Sequence, residues 1–195
     1  METLIDYYDD FAQEWAERWY ENESLKPYLH KFLSYLPQNP NVLDLCCGCG
    51  YESMRLHNMG ANVVGVDLSE KSIAIAKERN PKLRFYVRDM LKSYKDLGQF
   101  DGIACIAGIV HLQSNELEQA FINMHEVLKP DGYLLLVFKE SGENRYCVVN
   151  NNVEYARNFI FHDRKELSEK MGNLFEFVKD ISQEGDWKYF IYKRK

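Results

Sequence analysis

The sequence predicts an α/β protein: a doubly wound, mainly parallel seven-stranded sheet with helices on both faces, closed by an antiparallel C-terminal hairpin. Three observations carry this. Short β-branched runs alternate with helical patterns between residues 41 and 138, which implies βαβ units. The first such run passes directly into Cys46-Cys47-Gly48-Cys49-Gly50, a glycine turn with a helical pattern just beyond it. The chain closes on two strand-like runs joined by Gln183-Glu184-Gly185-Asp186, a link short enough to be a hairpin.

In chain order, Tyr7 to Tyr20 reads as one helix, because Phe11, Trp15 and Trp19 recur every four residues. A second helix runs from Ser24 to Tyr35 with Pro27 in its first turn, and Pro37 and Pro40 end it. Strands are expected at 41–45, 62–67, 83–87, 100–107 and 133–138. Helices are expected to Met59, from the cap Ser69 to Glu78, and over 114–128, with Lys129-Pro130-Asp131-Gly132 as a turn. Residues 141–161 are polar and irregular, carrying Asn144, Arg145, Asn150, Asn151, Asn152 and Arg157; both arginines read as solvated, with the alternative that one binds an acidic group on a substrate. A helix over 164–171, with His162 and Asp163 at its start, and strands at 174–182 and 187–192 complete the chain. The organisation expected is one domain, 1–195, made of N-terminal helices (1–36), a core (37–140) and a closing region (141–195).

Composition excludes several classes. At 195 residues, 46% hydrophobic and 28% charged, the chain can bury a core and is not a disordered segment. A net charge of −6 suits nucleic acid poorly, since phosphate backbones are met by clustered Lys and Arg. The acidic METLIDYYDD start lacks a basic signal-peptide region, and no apolar run approaches the roughly 18 residues of a membrane span. Five cysteines, three of them at 46, 47 and 49, fit reduced thiols, so a cytoplasmic protein is expected. Cys46-x-x-Cys49 has a metal-like spacing, but a structural zinc wants four ligands and no second pair follows; small residues filling a tight turn is the simpler reading, with no metal expected.

The glycine turn is the candidate site. A strand–glycine–helix unit lets a ligand approach the backbone and presents it with unpaired helix N–H groups. In a doubly wound sheet, ligands lie at the carboxyl ends of the strands, where the strand order reverses. A dinucleotide turn wants three glycines, yet Ser53 stands at the third position, and the nearby carboxylate of Asp44 suits a cation better than a pyrophosphate.

Asp44-Leu45-Cys46-Cys47-Gly48-Cys49-Gly50 resembles the first motif of class I S-adenosylmethionine-dependent methyltransferases. Three further segments resemble that family's later motifs: Val63 to Ser69, Phe85 to Met90, and Phe100 to Ala107. The resemblance implies S-adenosylmethionine as cofactor, with S-adenosylhomocysteine as product. It places Asp44 near the methionine ammonium, with Cys46, Cys47, Gly48 and Gly50 forming the turn beneath the cofactor. It gives Asp67 the ribose hydroxyls, Leu68 the adenine face, Asp89 the adenine amino group, and Met90 the ring. Ile106 and Ala107 would flank the sulfonium. The stripe Tyr8, Phe11, Trp15 and Trp19 reads as core packing; alternatively, Tyr8-Asp9-Asp10-Phe11-Ala12 resembles the N-terminal helix of many small-molecule members, which implies a lid that brings Tyr8 and Trp15 to the cofactor.

Each acid also has an ordinary reading: a turn or cap for Asp44 and Asp67, a surface pair with Arg88 for Asp89. His111, just past the fourth strand, is the catalytic candidate as a general base, beside the plainer reading of a residue bonding a loop carbonyl. Ala107-Gly108-Ile109-Val110 is not the N/D-P-P-Y/F of enzymes acting on amide or adenine nitrogens, and Cys105 is not followed by proline. A small-molecule acceptor is therefore expected, with no nucleic acid and no membrane. RNA or protein methylation, a non-catalytic cofactor-binding module and an NAD(P) oxidoreductase are the alternatives.

Overall fold

The computed structural model describes residues 1–150 and 152–195; Asn151 of the polar stretch lies outside them. Seven strands form one sheet: β1 (Asn41–Leu45), β2 (Asn62–Asp67), β3 (Arg84–Val87), β4 (Phe100–Ile106), β5 (Leu128–Lys139), β8 (Phe175–Asp180) and β9 (Trp187–Arg194). Their order is β3-β2-β1-β4-β5-β9-β8. The first five are parallel, and β9 is antiparallel to both β5 and β8. The order reverses between β1 and β4, which opens a cleft at their carboxyl ends.

Alternating residues of each central strand bury opposite faces. Leu43, Leu45, Ile103, Cys105, Leu134 and Leu136 pack with α6 (Leu117–Val127) and α7 (Arg164–Met171). Val42, Ala104, Leu135 and Val137 pack with α3 (Lys26–Leu33) and α4 (Tyr51–Asn58). Strands buried on both sides lose the polar alternation of a one-sided sheet, which is why they read as unbroken apolar runs. Helix α5 (Glu70–Arg79) starts at the expected cap: the Ser69 hydroxyl accepts from Ser72 N–H at 3.0 Å.

Three expectations are corrected. The single N-terminal helix is two, α1 (Leu4–Asp10) and α2 (Ala12–Tyr20), broken at Phe11, whose backbone (φ −105°, ψ 10°) leaves the helical region. The break lets each half follow a different neighbour: Tyr7 and Phe11 pack on Tyr155, while Ala12 and Ala16 pack on Cys49. The 129–132 turn is absorbed into β5, where Asp131 takes φ +63° at an irregularity in the pairing with β4. The stretch 141–161 is not wholly irregular. It contains β6 (Val148–Asn150) antiparallel to β7 (Val153–Tyr155), and Tyr155 O–H donates to Asp10 at 3.0 Å. Among the described residues, no helix is long and apolar enough to cross a membrane.

Candidate active site

Asp44 is the penultimate residue of β1, and its side chain is only 1% exposed. It accepts a 2.6 Å hydrogen bond from the Ser53 hydroxyl in the first turn of α4. Burial pushes its carboxyl up to about 7, Ser53 opposes the shift, and the neighbouring Glu52 and Asp67 add to it. No cation is among the groups acting on it. A buried carboxylate without a cation is costly, and its ionised form is stabilised by any positive group that enters.

The turn above it is set by backbone geometry. Gly48 and Gly50 adopt φ +51° and +79°, and a Cβ on Gly50 would lie 2.9 Å from the Phe85 ring. Cys46 holds φ +65° at the end of β1, and Ala107 φ +57° at the end of β4. Left-handed backbone in non-glycine residues costs on the order of 1 kcal/mol each and gathers at functional sites. These two flank the switch point, since Leu45 pairs with Cys105. The Cys46 Sγ lies 3.7 Å from Met90 Sδ. A hydrogen bond with Cys105, then burial, pushes the Cys46 thiol up, and burial does the same to Cys47. These are packed thiols, chemically quiet at neutral pH. Among the described residues, no cluster of three His, Cys, Asp or Glu could hold a metal.

Asp67, at the end of β2, is half-buried. Its Oδ2 accepts from Gly48 N–H at 2.8 Å and its Oδ1 from Ser69 N–H at 3.0 Å. Burial raises its carboxyl above the usual range, and these backbone donors hold it back. It thus ties β2 to the glycine turn and also serves the start of α5. A carboxylate has about four acceptor sites, so two are left. Leu68 beside it is 37% exposed, an apolar face toward open space. Asp89 is half-buried, with Oδ1 accepting from Leu91 N–H at 2.8 Å, and Met90 is buried beside it. Ile106 and Ala107 are half-buried where β4 ends.

Helix α1 is anchored to the core. Asp9 accepts from the Ser69 hydroxyl at 2.5 Å and from Lys71 N–H at 3.2 Å, which ties α1 to the start of α5. Tyr8 then reaches His111, 2.7 Å from its Nε2, while His111 Nδ1 lies 2.6 Å from the Asn158 carbonyl. A carbonyl only accepts, so Nδ1 carries the proton and Nε2 accepts from Tyr8 O–H. Burial lowers His111 to about 4, Asn158 opposes this, and Arg157 adds to the lowering. Arg157 donates to the Tyr8 oxygen at 3.1 Å. Burial pushes the Tyr8 phenol up to about 12 despite that guanidinium. Trp15 stands 6.5 Å from Tyr8, ring to ring, and its Nε1 is buried without a partner among the described residues.

Most of the expected residues meet here. Asp44, Cys46, Cys47, Gly48, Gly50, Asp67, Met90, Ile106 and Ala107 surround the carboxyl ends of β1, β2 and β4, with Tyr8 and His111 over them. Asp67 binds its own backbone as well as presenting free acceptor sites. His162 stands at the start of α7 beside the cap Asp163, as expected, and is fully buried, 3.1 Å from Glu166 and 3.2 Å from the Ile109 carbonyl. Arg157 is not solvated but half-buried, 4.7 Å from the Tyr7 ring centre. Sequence reasoning missed Ser53 and Tyr51 as site residues. Ser53 occupies the third-glycine position, a signal present but read only as a departure. Tyr51 follows Gly50, and its hydroxyl lies 3.4 Å from where a Gly48 Cβ would stand.

A parallel sheet of this order, capped by an antiparallel pair and holding an acidic, glycine-lined cleft at its switch point, is the Rossmann-like architecture shared with methyltransferase structures. Comparison with known proteins agrees. Residues 42–132 match the family described as "Methyltransferase domain". The putative methyltransferase YqeM of Bacillus subtilis is 35% identical over 105 residues, 51% of this chain and 42% of that protein. The ubiquinone biosynthesis O-methyltransferase of Coxiella burnetii is 29% identical over 166 residues, 78% of this chain and 68% of that protein. Among solved structures, the PH0226 protein of Pyrococcus horikoshii superposes with a TM-score of 0.77 at 26% identity, covering 94% of this chain and 92% of the other. Over residues 42–132 the chain is thus similar to methyltransferase domains, and its fold is shared along nearly the whole chain with solved structures. The matched stretch spans less than half the length of the first curated relatives.

Proposed function

We propose that this protein transfers a methyl group from S-adenosylmethionine to a small-molecule acceptor by in-line displacement. The carrying observation is the charge of the cleft: Asp44 and Asp67 converge on the glycine turn, and Asp44 is dry and lacks a cation. Such a site favours a ligand bearing ammonium and sulfonium groups and disfavours the pyrophosphate of a dinucleotide. S-adenosylmethionine supplies the activated methyl group. Asp44 is suited to hold its ammonium, Asp67 the ribose hydroxyls with its spare acceptor sites, and Asp89 the adenine amino group with its second oxygen. Leu68 and Met90 offer apolar contact to the adenine.

The chain's further task is to align the acceptor and exclude water, worth up to roughly 7–11 kcal/mol of barrier. Tyr8, pinned by Arg157 and His111, closes the cleft from above. His111 is neutral at pH 7 with its free lone pair committed to Tyr8. A base is most useful with a pKa near the working pH, and a value about 4 makes His111 a positioning residue for Tyr8 rather than a strong base.

A small acceptor is supported by the net charge of −6 and by the name of the Coxiella relative, a ubiquinone biosynthesis O-methyltransferase. Five free cysteines support a reducing, cytoplasmic setting. The test is to incubate the protein with S-adenosylmethionine and a broad panel of phenols, amines and carboxylic acids, and to measure S-adenosylhomocysteine by mass spectrometry. Product formation with at least one small acceptor is expected; binding of the cofactor with no turnover across the panel would overturn the reading.

A further inference from the structure

A cavity of about 400 Å³ lies between the end of β5 and the β6–β7 hairpin, with Lys139, Arg145, Val148, Arg157, Phe159 and Phe161 among its walls. That volume suits one small organic molecule. Three of the lining residues are cations and none is a carboxylate. Lys139 has one distant acidic partner, Asp186 at 3.6 Å, which is itself largely in solvent. Arg145 has no acidic partner among the described residues. Arg157 spends one nitrogen on Tyr8, and its Nε is buried with no partner. Cations gathered without acids around a dry donor raise the cost of the unliganded state, and a bound anion would relieve it.

The remaining walls are apolar, with Cys147, Val148 and Val149 beside two aromatic rings, Phe159 and Phe161, and Trp187 packs behind them. Phe159 and Phe161 stand 5.6 Å apart, Trp187 lies 6.3 Å from Phe159, and the Lys139 ammonium sits 5.6 Å from the Trp187 ring. Phe159 also packs 6.2 Å from His111. The cavity wall is therefore shared with the Tyr8–His111 pair that closes the cofactor cleft, and Arg157 belongs to both.

We propose that this cavity is the acceptor pocket and that it selects a flat, aromatic acceptor bearing a carboxylate, held by Arg145 and Arg157. The claim rests on the methyltransferase reading above for its purpose, though not for its chemistry. Two fluorescent probes of equal shape separate the charge: 6-hydroxy-2-naphthoate and its neutral amide, 6-hydroxy-2-naphthamide. With S-adenosylhomocysteine present, the naphthoate is expected to bind at least about tenfold more tightly than the amide, as a charge-assisted contact implies. Arg145→Gln should remove most of that preference while leaving amide affinity and S-adenosylhomocysteine affinity within about twofold. Arg157→Gln should remove it as well, with a melting curve confirming that the variant folds. Equal affinity for the two probes in the wild type, or a preference untouched by both substitutions, overturns the proposal. Failure of S-adenosylhomocysteine to bind would instead sink the methyltransferase reading, and the same titration on the cofactor-free protein still decides the anion selectivity.

Discussion

The two halves of the site are made differently. The cofactor side is local: the turn at 46–50 is set by its own backbone angles, Asp44 and Ser53 are nine residues apart, and Asp67 and Ser69 two. The acceptor side is assembled from distant segments. Tyr8 meets His111 across 103 residues and Arg157 across 149, and Tyr155 meets Asp10 across 145. The first region presents carboxylates and a bent backbone, the second cations and aromatic rings. Under the proposed function, the invariant ligand meets the rigid end of the sheet, while the surface offered to a variable acceptor is built from loops and a docked helix.

The largest effect that would break this contrast lies on the acceptor side. His111 is held neutral in the fold, with its value lowered from 6.5 to about 4. The unfolded chain takes up a proton below pH 6.5 while the folded chain does not, so stability falls as pH drops from 6.5 towards 4. Denaturant titrations should show the wild type losing up to about 3 kcal/mol more over that window than His111→Gln. Equal losses would show that His111 is not buried behind Tyr8.

Next comes the cofactor side. Asp67→Ala should weaken S-adenosylhomocysteine binding by about a hundredfold by calorimetry, the scale of hydrogen bonds to a charged group. A change under threefold would remove Asp67 from the site. Asp44 gives a smaller, graded effect. Its carboxyl is raised to about 7 in the free protein. Pairing with an ammonium favours the ionised form, so binding releases a proton below that pH, and affinity should fall by up to about tenfold per unit as pH drops below 7. Asp44→Asn should bind weakly and with a flat profile; an unchanged slope would assign the titration elsewhere. The smallest effect is expected at Cys46. Replacing it with glycine relieves the left-handed backbone but loses the sulfur contact with Met90, so stability should stay within about 1 kcal/mol of wild type. A thermal melt far outside that range would mean that the Cys46 side chain is a structural requirement.

The same contrast explains what the sequence revealed. Strands β1 and β2 and helix α7 were legible to the residue, because apolar runs, glycines and the Asp163 cap act within a few positions of one another. The positions of Asp44 and Asp67 at strand ends beside the glycine turn were legible for the same reason. The break at Phe11 was not: the Phe11–Trp15–Trp19 spacing is helical, and only the docking of α1 on Tyr155 and of α2 on Cys49 divides it. Arg157 carried no local sign, since a guanidinium in a polar stretch looks solvated until Tyr7, Tyr8 and Phe159 close around it. The β6–β7 hairpin was hidden because strands of three residues carry too little periodicity to read.

The most direct test of the central claim is a crystal structure with S-adenosylhomocysteine bound. It should place the ammonium within about 3 Å of Asp44, directly or through one water, and the ribose hydroxyls on Asp67, with the sulfur facing Ala107. The ligand lying away from the glycine turn, or its adenosine occupying the arginine-lined cavity, would contradict the account.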